Sequence, residues 1–486
     1  MRTSPDLPTG ARVPFATRSG WGIGSLGVSL LFNTYSALLL FYLTNVVGLP
    51  LKIAGTLIVI AKVYDALINI PMGLLSDRTE SRWGRRRPWF LLGAILCSSW
   101  FLVIFNTSAV GGDGASPALV GWVLGALLLY STGYAIFNVP YMAMPAEMTD
   151  DYHERTAIMS YRVILIQVGN FIAVGLGPRL AQQFGGGLEG YSVVGWVLGL
   201  CTLVTMLACF FGTAGARRVA RTSVRYPVGE QLRSALRNRP FLLLAAFKFL
   251  ILVAGATVFA TLLFFVKNVL KLDQGVMLWY TAAHGVAAFI TVPLVWLPLS
   301  ARFGKKTALV IATLGFVVTA LTWLLAQPGE PIALFIARAF LLGSFAAGKL
   351  LLGLTLLPDV MEYDFLRTGL RREGAYAGAY NMVEKAAYAV SPLLMTVVLG
   401  LMGYQESVNN ATVAQSENAI LGIYLSIAII PALCNLLAVF VLTRYDLTEQ
   451  KLRQLRAAAP AGAPVAAPVG APVGAPSGAT SAGRPA

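Results

Sequence analysis

Twelve apolar stretches, each close to the roughly twenty residues a helix needs to cross a bilayer, run through this chain between residues 21 and 444. In hydrocarbon every backbone N–H and C=O must find its partner inside the protein, and runs of this length do so as helices. The expected spans lie near 21–46, 51–75, 88–108, 118–145, 158–180, 192–215, 241–268, 275–300, 306–326, 331–358, 376–403 and 417–444. The fold class is therefore an all-α polytopic membrane protein. Composition agrees: 57% of residues are hydrophobic, 12% are charged, and mean hydropathy is +0.70.

The basic residues sit on alternate loops. Arg78, Arg82, Arg85, Arg86 and Arg87 follow the second span, and Arg302, Lys305 and Lys306 follow the eighth. Arg217, Arg218, Arg221, Arg225, Arg233, Arg237 and Arg239 crowd the central loop. By the positive-inside rule these loops face the cytoplasm, which places both termini there and points to a multi-pass protein of the cell (inner) membrane. The opposite loops, such as NTSAVGGDGASP and QESVNNATVAQSEN, hold no Lys or Arg. Topology thus accounts for the formal net charge of +15, and nucleic acid is not an expected partner. The bilayer is.

The long basic linker divides the spans six and six. The expected organisation is a cytoplasmic N-terminal segment over 1–20, an N-terminal six-helix bundle over 21–215 and the linker over 216–240. A C-terminal six-helix bundle over 241–445 follows, then a cytoplasmic Ala/Pro/Gly-rich tail over 446–486 whose composition cannot offset its ordering entropy. GLLSDRTESRWGRRRPW after span two has a faint counterpart in PLSARFGKKTAL after span eight. Cys97, Cys201, Cys209 and Cys434 fall in spans without CxxC or Cys/His spacing, so neither a disulfide framework nor a metal site is indicated.

Chemistry must then come from the few polar side chains held in the membrane. On span two, Lys62, Asp65 and Asn69 are spaced i, i+3 and i+7, which sets a cation, a carboxylate and an amide on one helical face. Asp65 reads as a coupling residue whose charge is neutralised differently in two access states; the plainer alternative is a static Lys62–Asp65 pair. Ser25, Ser29 and Asn33 form a polar stripe on span one, and Tyr134, Asn138 and Tyr141 another on span four. Such stripes suit a polyhydroxylated ligand, or else hydrogen bonding between helices. Arg162 on span five and Lys385 on span eleven are intramembrane cations, and Tyr376, Tyr380, Glu384 and Tyr388 recur every four residues beside Lys385. Lys248, Arg338, Lys349 and His284 rank below them, since each can snorkel or satisfy a neighbouring carbonyl.

Gly73, Asp77, Arg78, Gly84, Arg85, Arg86 and Arg87 in the loop after span two resemble the cytoplasmic gating motif of the major facilitator superfamily. More closely, AKVYDALINIPMGLLSDRTESRWGRRRPW, FYLTNVVGL and LPDVMEYDFLRTGLRREGAYAGAYNMVEKAAYA resemble the glycoside–pentoside–hexuronide:cation symporters, the melibiose-permease-like group, over about residues 20 to 445. That resemblance implies two six-helix bundles in the major facilitator fold, no enzymatic activity and no cofactor. It also implies a cation site on helix two, sugar contacts on helices one, four and five, and a helix-eleven lysine nearby. Asp65, Arg162 and Lys385 match retained positions. Ser29, Asn69 and Asn138 stand where the melibiose-permease pattern has aspartates, Met142 replaces a tryptophan, and Ala135 replaces a hydroxyl residue.

Each lost aspartate removes a negative charge from the expected cavity, so sodium would meet a weaker site. Proton coupling through Asp65, sodium held by Asp65 and the Asn69 amide, and uncoupled facilitation all stay open, with coupling through Asp65 favoured. The expected solute is a small polar one, a glycoside or a sugar acid, carried by a monomer. The expected substrate-binding set is Ser29, Asn33, Asn138, Tyr141, Arg162, Tyr380 and Lys385. Rival readings are a lysophospholipid carrier of the same superfamily and a non-transporting membrane scaffold or sensor.

Overall fold

Long runs of Leu, Val, Ala and Phe have no solvent-facing side to spare, so each closes its hydrogen bonds along its own axis and packs on its neighbours. The computed structural model describes residues 13–107, 116–149, 152–216, 238–368, 373–447, 451–452 and 454–455. Twelve helices among them are long and apolar enough to cross a membrane. The first six are α1 (Phe15–Val46), α2 (Leu51–Gly73), α3 (Arg87–Ile104), α4 (Pro117–Pro145), α5 (Ile164–Gln183) and α6 (Leu188–Gly212). The second six are α7 (Arg239–Leu270), α8 (Gln274–Phe303), α9 (Lys305–Leu325), α10 (Ile332–Arg367), α11 (Gly378–Leu401) and α12 (Glu417–Thr443). The helix of α2 runs on to Arg78, and that of α5 begins back at Tyr152. The linker between 217 and 237 and the tail from 456 lie outside the described residues.

The packing repeats. α1 packs on α5 and α6, α3 on α4 and α6, and α2 on α4; adding six to each number gives the pairs of the second half, α7 with α11 and α12, α9 with α10 and α12, and α8 with α10. The faint likeness between the loops after spans two and eight has a backbone counterpart. Both turn through a glycine with positive φ, Gly84 at 97° and Gly304 at 83°, a conformation that side-chain-bearing residues seldom adopt. Several helices are not straight α. Short π-helical turns interrupt α1 (Thr34–Leu38 and Tyr42–Val46), α7 (Val266–Leu270), α8 (Val292–Trp296) and α12 (Leu425–Ile429), and prolines lie inside α2 and α4.

The halves meet through α1 with α7, α2 with α11 and α5 with α8. With an even number of spans, both ends of the described chain lie on one side, and packing between the halves concentrates on the other, far side. There Phe41 of α1 meets Phe264 of α7 edge-on at 5.2 Å, and one apolar core is continuous across both halves. A Cβ on Gly55 of α2 would lie 2.5 Å from the Thr396 side chain of α11, so the two helices touch there because Gly55 has none. Toward the termini the second half keeps its own separate core, with Phe241, Trp296 and Tyr376 fully buried in it.

The segment joining α11 to α12 fastens the far side. Asn45, at the end of α1, accepts from the Tyr404 hydroxyl (2.8 Å) and the Lys267 ammonium (3.4 Å) on its side-chain oxygen, and from the Ser407 hydroxyl (2.9 Å) on its carbonyl. Burial pushes the Tyr404 hydroxyl up to about 12, so it stays protonated and donates. Glu406 accepts from the backbone N–H of Leu51 (2.6 Å) and Asn409 from that of Leu188 (2.9 Å), capping α2 and α6 of the opposite half. Asn409 and Asn410 reach these positions with positive φ, tolerable for asparagine, and their N–H groups donate to Val46 and Asn45 at 2.7 Å.

Candidate functional site

Asp65 lies midway along the α2 helix and is 7% exposed. Its partner is not the lysine one turn away. The Lys385 ammonium of α11 stands 3.7 Å from its carboxylate, so the ion pair joins the two halves. The Asn69 amide donates to the Asp65 carbonyl and, at 3.4 Å, to its carboxylate, which keeps the i, i+4 pair on one face as the spacing requires. Lys62 turns away onto aromatic surface, with its ammonium 4.0 Å from the Tyr35 ring centre and 5.8 Å from that of Tyr130. Among the described residues no carboxylate comes within ion-pair distance of Lys62, so the static Lys62–Asp65 pair does not form.

Burial divides the ion pair unevenly. The Asp65 side chain is 10% exposed and that of Lys385 is 41% exposed, so the acid is enclosed while water reaches the base. Tyr134 of α4 lies within Coulombic reach of Asp65, Arg162 and Glu384, which places residues from α2, α4, the α5 helix and α11 around one region between the halves. Phe32 of α1 packs edge-on against Tyr388 of α11 at 4.8 Å beside it.

Two of the sequence-derived binding residues hold polar atoms with nothing to bond. The Asn138 amide oxygen and the Arg162 Nε are both buried without a partner among the described residues. Unsatisfied groups of this kind are uncommon in native folds and are expected where a ligand or water completes them. Met142 and Ala135 lie on the same helix as Asn138, half-buried and buried respectively.

Other residues of the expected set spend their hydrogen bonds elsewhere. Ser29 donates to the Ile166 carbonyl at 2.7 Å and so ties α1 to α5, while the Asn33 amide donates to the Ser29 carbonyl and hydroxyl at 2.9 Å each, within α1. Tyr141 is fully buried, stacked on Trp21 with ring centres 4.6 Å apart, donating to the Trp21 carbonyl and sharing a 2.6 Å hydrogen bond with Ser25. Tyr380 is buried against α7, its ring 3.6 Å beneath the Lys248 ammonium. For these four the geometry is that of helix packing. Lys248, expected to snorkel or to satisfy a neighbouring carbonyl, also holds a carboxylate. Its ammonium pairs with Glu384 at 2.9 Å, and the only sign in the sequence is an intramembrane lysine on span seven and an intramembrane acid on span eleven.

The loop after α2 is built as a tight turn. Ser81 donates to the Gly84 carbonyl at 2.8 Å, Arg86 is buried and donates to Ser76 at 2.6 Å, and Arg87 grips the Phe210 carbonyl of α6 at 2.8 and 3.1 Å. Arg78 and Arg85 are exposed, and Gly73 lies within α2 facing Val139. The side chain of Asp77 lies outside the described residues.

Comparison with known proteins agrees with this architecture. The profile of the family described as MFS/sugar transport protein matches residues 20–449. The chain is 27% identical to the glucuronide carrier protein homolog of Escherichia coli, covering 91% of this chain and 95% of that one. It is 23% identical to the isoprimeverose transporter of Lactiplantibacillus pentosus, covering 84% of each. Among solved structures, a bacterial homologue of the human drug peptide transporters PepT1 and PepT2 superposes with a TM-score of 0.62 at 11% identity, over 90% of this chain and 99% of that one. Twelve helices packed as two matching sets of six, and a family profile spanning nearly all of them, make this chain a member of the MFS/sugar transport family, the glycoside–pentoside–hexuronide symporters.

Proposed function

We propose that this protein is a cation-coupled symporter of a glycoside or sugar acid, working by alternating access with its termini in the cytoplasm of the cell that bears it. The observation that carries the reading is the Asp65–Lys385 ion pair between the halves. A pair within one half would survive any rocking of one half against the other, whereas this one changes with it. A proton or cation arriving at Asp65 neutralises the carboxylate, releases Lys385, and so ties occupancy of the acid to the relation of the halves. The freed ammonium, the open Arg162 guanidinium and the Asn138 amide then face a solute with hydroxyl or carboxylate groups. The names of the relatives, a glucuronide carrier and an isoprimeverose transporter, are consistent with such a solute. The arrangement described here, fastened on the far side, corresponds to access from the cytoplasm.

The test is uptake by proteoliposomes holding the purified protein, across a panel of glycosides and uronides, with sodium and pH gradients imposed separately. One gradient is expected to drive accumulation above equilibrium, and Asp65→Asn to abolish the accumulation. Accumulation by that variant at the native level would refute the reading.

A further inference from the structure

The geometry points to Glu384 as a ligand-contacting, specificity-determining carboxylate contributed by the second half, with Lys248 as the residue that positions it. This rests on the transport reading above and extends it.

Lys248 of α7 is buried, and its ammonium makes three contacts with α11. It meets the Glu384 carboxylate at 2.9 Å, donates to the Tyr380 carbonyl at 3.0 Å, and sits 3.6 Å from the Tyr380 ring centre. Glu384 differs. Its side chain is 47% exposed, and among the described residues only one of its two carboxylate oxygens is engaged, by Lys248. A carboxylate with one oxygen anchored and the other open is a fixed acceptor, able to take a hydroxyl hydrogen without first surrendering a partner. Tyr388, one turn further along the same face of α11, packs edge-on against Phe32 of α1 at 4.8 Å, so Glu384 belongs to the region between the halves and not to the lipid-facing surface.

The two neighbouring charges of α11 are held in contrasting ways. Lys385 pairs across the halves with Asp65, so its engagement varies as they move. Lys248 and Glu384 lie on α7 and α11, which pack together within one half, so their pair persists through such a motion. Glu384 is thus suited to recognising the solute and Lys385 to coupling. The ligand chemistry that fits is a polyol face, donating from a sugar hydroxyl to the free carboxylate oxygen.

The experiment measures uptake of p-nitrophenyl β-D-glucuronide, p-nitrophenyl β-D-glucoside and the 2-, 3- and 4-deoxy forms of the glucoside by proteoliposomes of the full chain. Glu384→Gln is expected to raise KM by roughly tenfold to a hundredfold for the hydroxylated sugars, the loss typical of one charge-assisted hydrogen bond. The maximal rate should be retained, and the penalty should vanish for the one deoxy analogue lacking the recognised hydroxyl. Lys248→Arg should keep KM within a few-fold, and Lys248→Gln should raise it. Because Glu384→Gln strands a buried cation, Glu384→Gln/Lys248→Met is included. It should regain thermal stability while KM stays high, which a purely structural pair would not produce. Native KM in Glu384→Gln, or an equal penalty for every deoxy analogue, overturns the assignment while gradient-driven uptake keeps the transport reading intact. Failure of the wild-type protein to take up either parent sugar overturns both.

Discussion

Replacing Asp65 removes the acid that binds the halves together at mid-membrane, and the two exposures of the pair set how much stability goes with it. At 3.7 Å and an effective dielectric near 20, the attraction is about 4 kcal/mol. Since 41% of the Lys385 side chain is exposed, water screens the pair, and a net value of about 1 kcal/mol is a better figure. Asp65→Asn leaves behind a lysine that water already reaches, and the new amide oxygen can still accept from Asn69. The cost should therefore stay near 1 kcal/mol. Lys385→Met does the opposite, since it strands a carboxylate that is only 10% exposed, and losses of about 3–5 kcal/mol follow when one partner of a buried pair is removed. The double variant Asp65→Asn/Lys385→Met buries no charge and should melt close to the wild type. Thermal unfolding in detergent, followed by tryptophan fluorescence, reads all three. The expected order of destabilisation is Lys385→Met well beyond Asp65→Asn, with the double variant recovering. If Asp65→Asn proves the more damaging single change, or the double variant melts below both, the acid is not the enclosed member and the reasoning fails.

Asn45→Ala removes the side-chain acceptor of Tyr404 and Lys267 and should weaken the far-side fastening by about 2 kcal/mol, at roughly 1 kcal/mol per bond. Amide hydrogen exchange over 404–411 should speed by roughly thirtyfold, and unchanged exchange would refute the fastening. Gly55→Leu forces a side chain into Thr396 and should hold α2 and α11 apart, so exchange at the far ends of both helices rises and uptake falls; native uptake would refute the close approach. Arg162→Gln should cut uptake of p-nitrophenyl β-D-glucuronide at least tenfold more than that of the glucoside, because only the uronide loses a charge partner; an equal loss for both would remove Arg162 from carboxylate recognition. Lys349 is buried against Phe316 and Asn435 with no carboxylate partner among the described residues, so Lys349→Met should leave the melting temperature unchanged or raised. A fall of several degrees would refute that reading.

The helices were legible because lipid imposes a length and a composition on each. The expectation of 51–75 meets a span over Leu51–Gly73, and that of 417–444 meets Glu417–Thr443. The helical spacing of Asp65 and Asn69 likewise fixed their mutual contact. What a linear chain does not hold is the partner. Lys62 sits one turn from Asp65, yet its long stem follows the aromatic surface of Tyr35, and the ammonium that reaches Asp65 comes from α11. The stripe of Tyr134, Asn138 and Tyr141 was real as a periodicity and misleading as a surface, since one turn along the helix the face points into the contact with α1, where Trp21 and Ser25 enclose Tyr141. Burial against a neighbour and exposure to a cavity give the same sequence pattern, and only packing separates them.

The α11–α12 segment supplies an acceptor to the first N–H of α2 and another to the first N–H of α6. Withdrawing it would bare two helix starts in one stroke, each needing water at once, while its own Asn409 and Asn410 N–H groups lose the carbonyls of α1. A seam built this way resists small displacements and yields all together, so the far-side closure of this carrier is a snap fastener and not a hinge that swings by degrees.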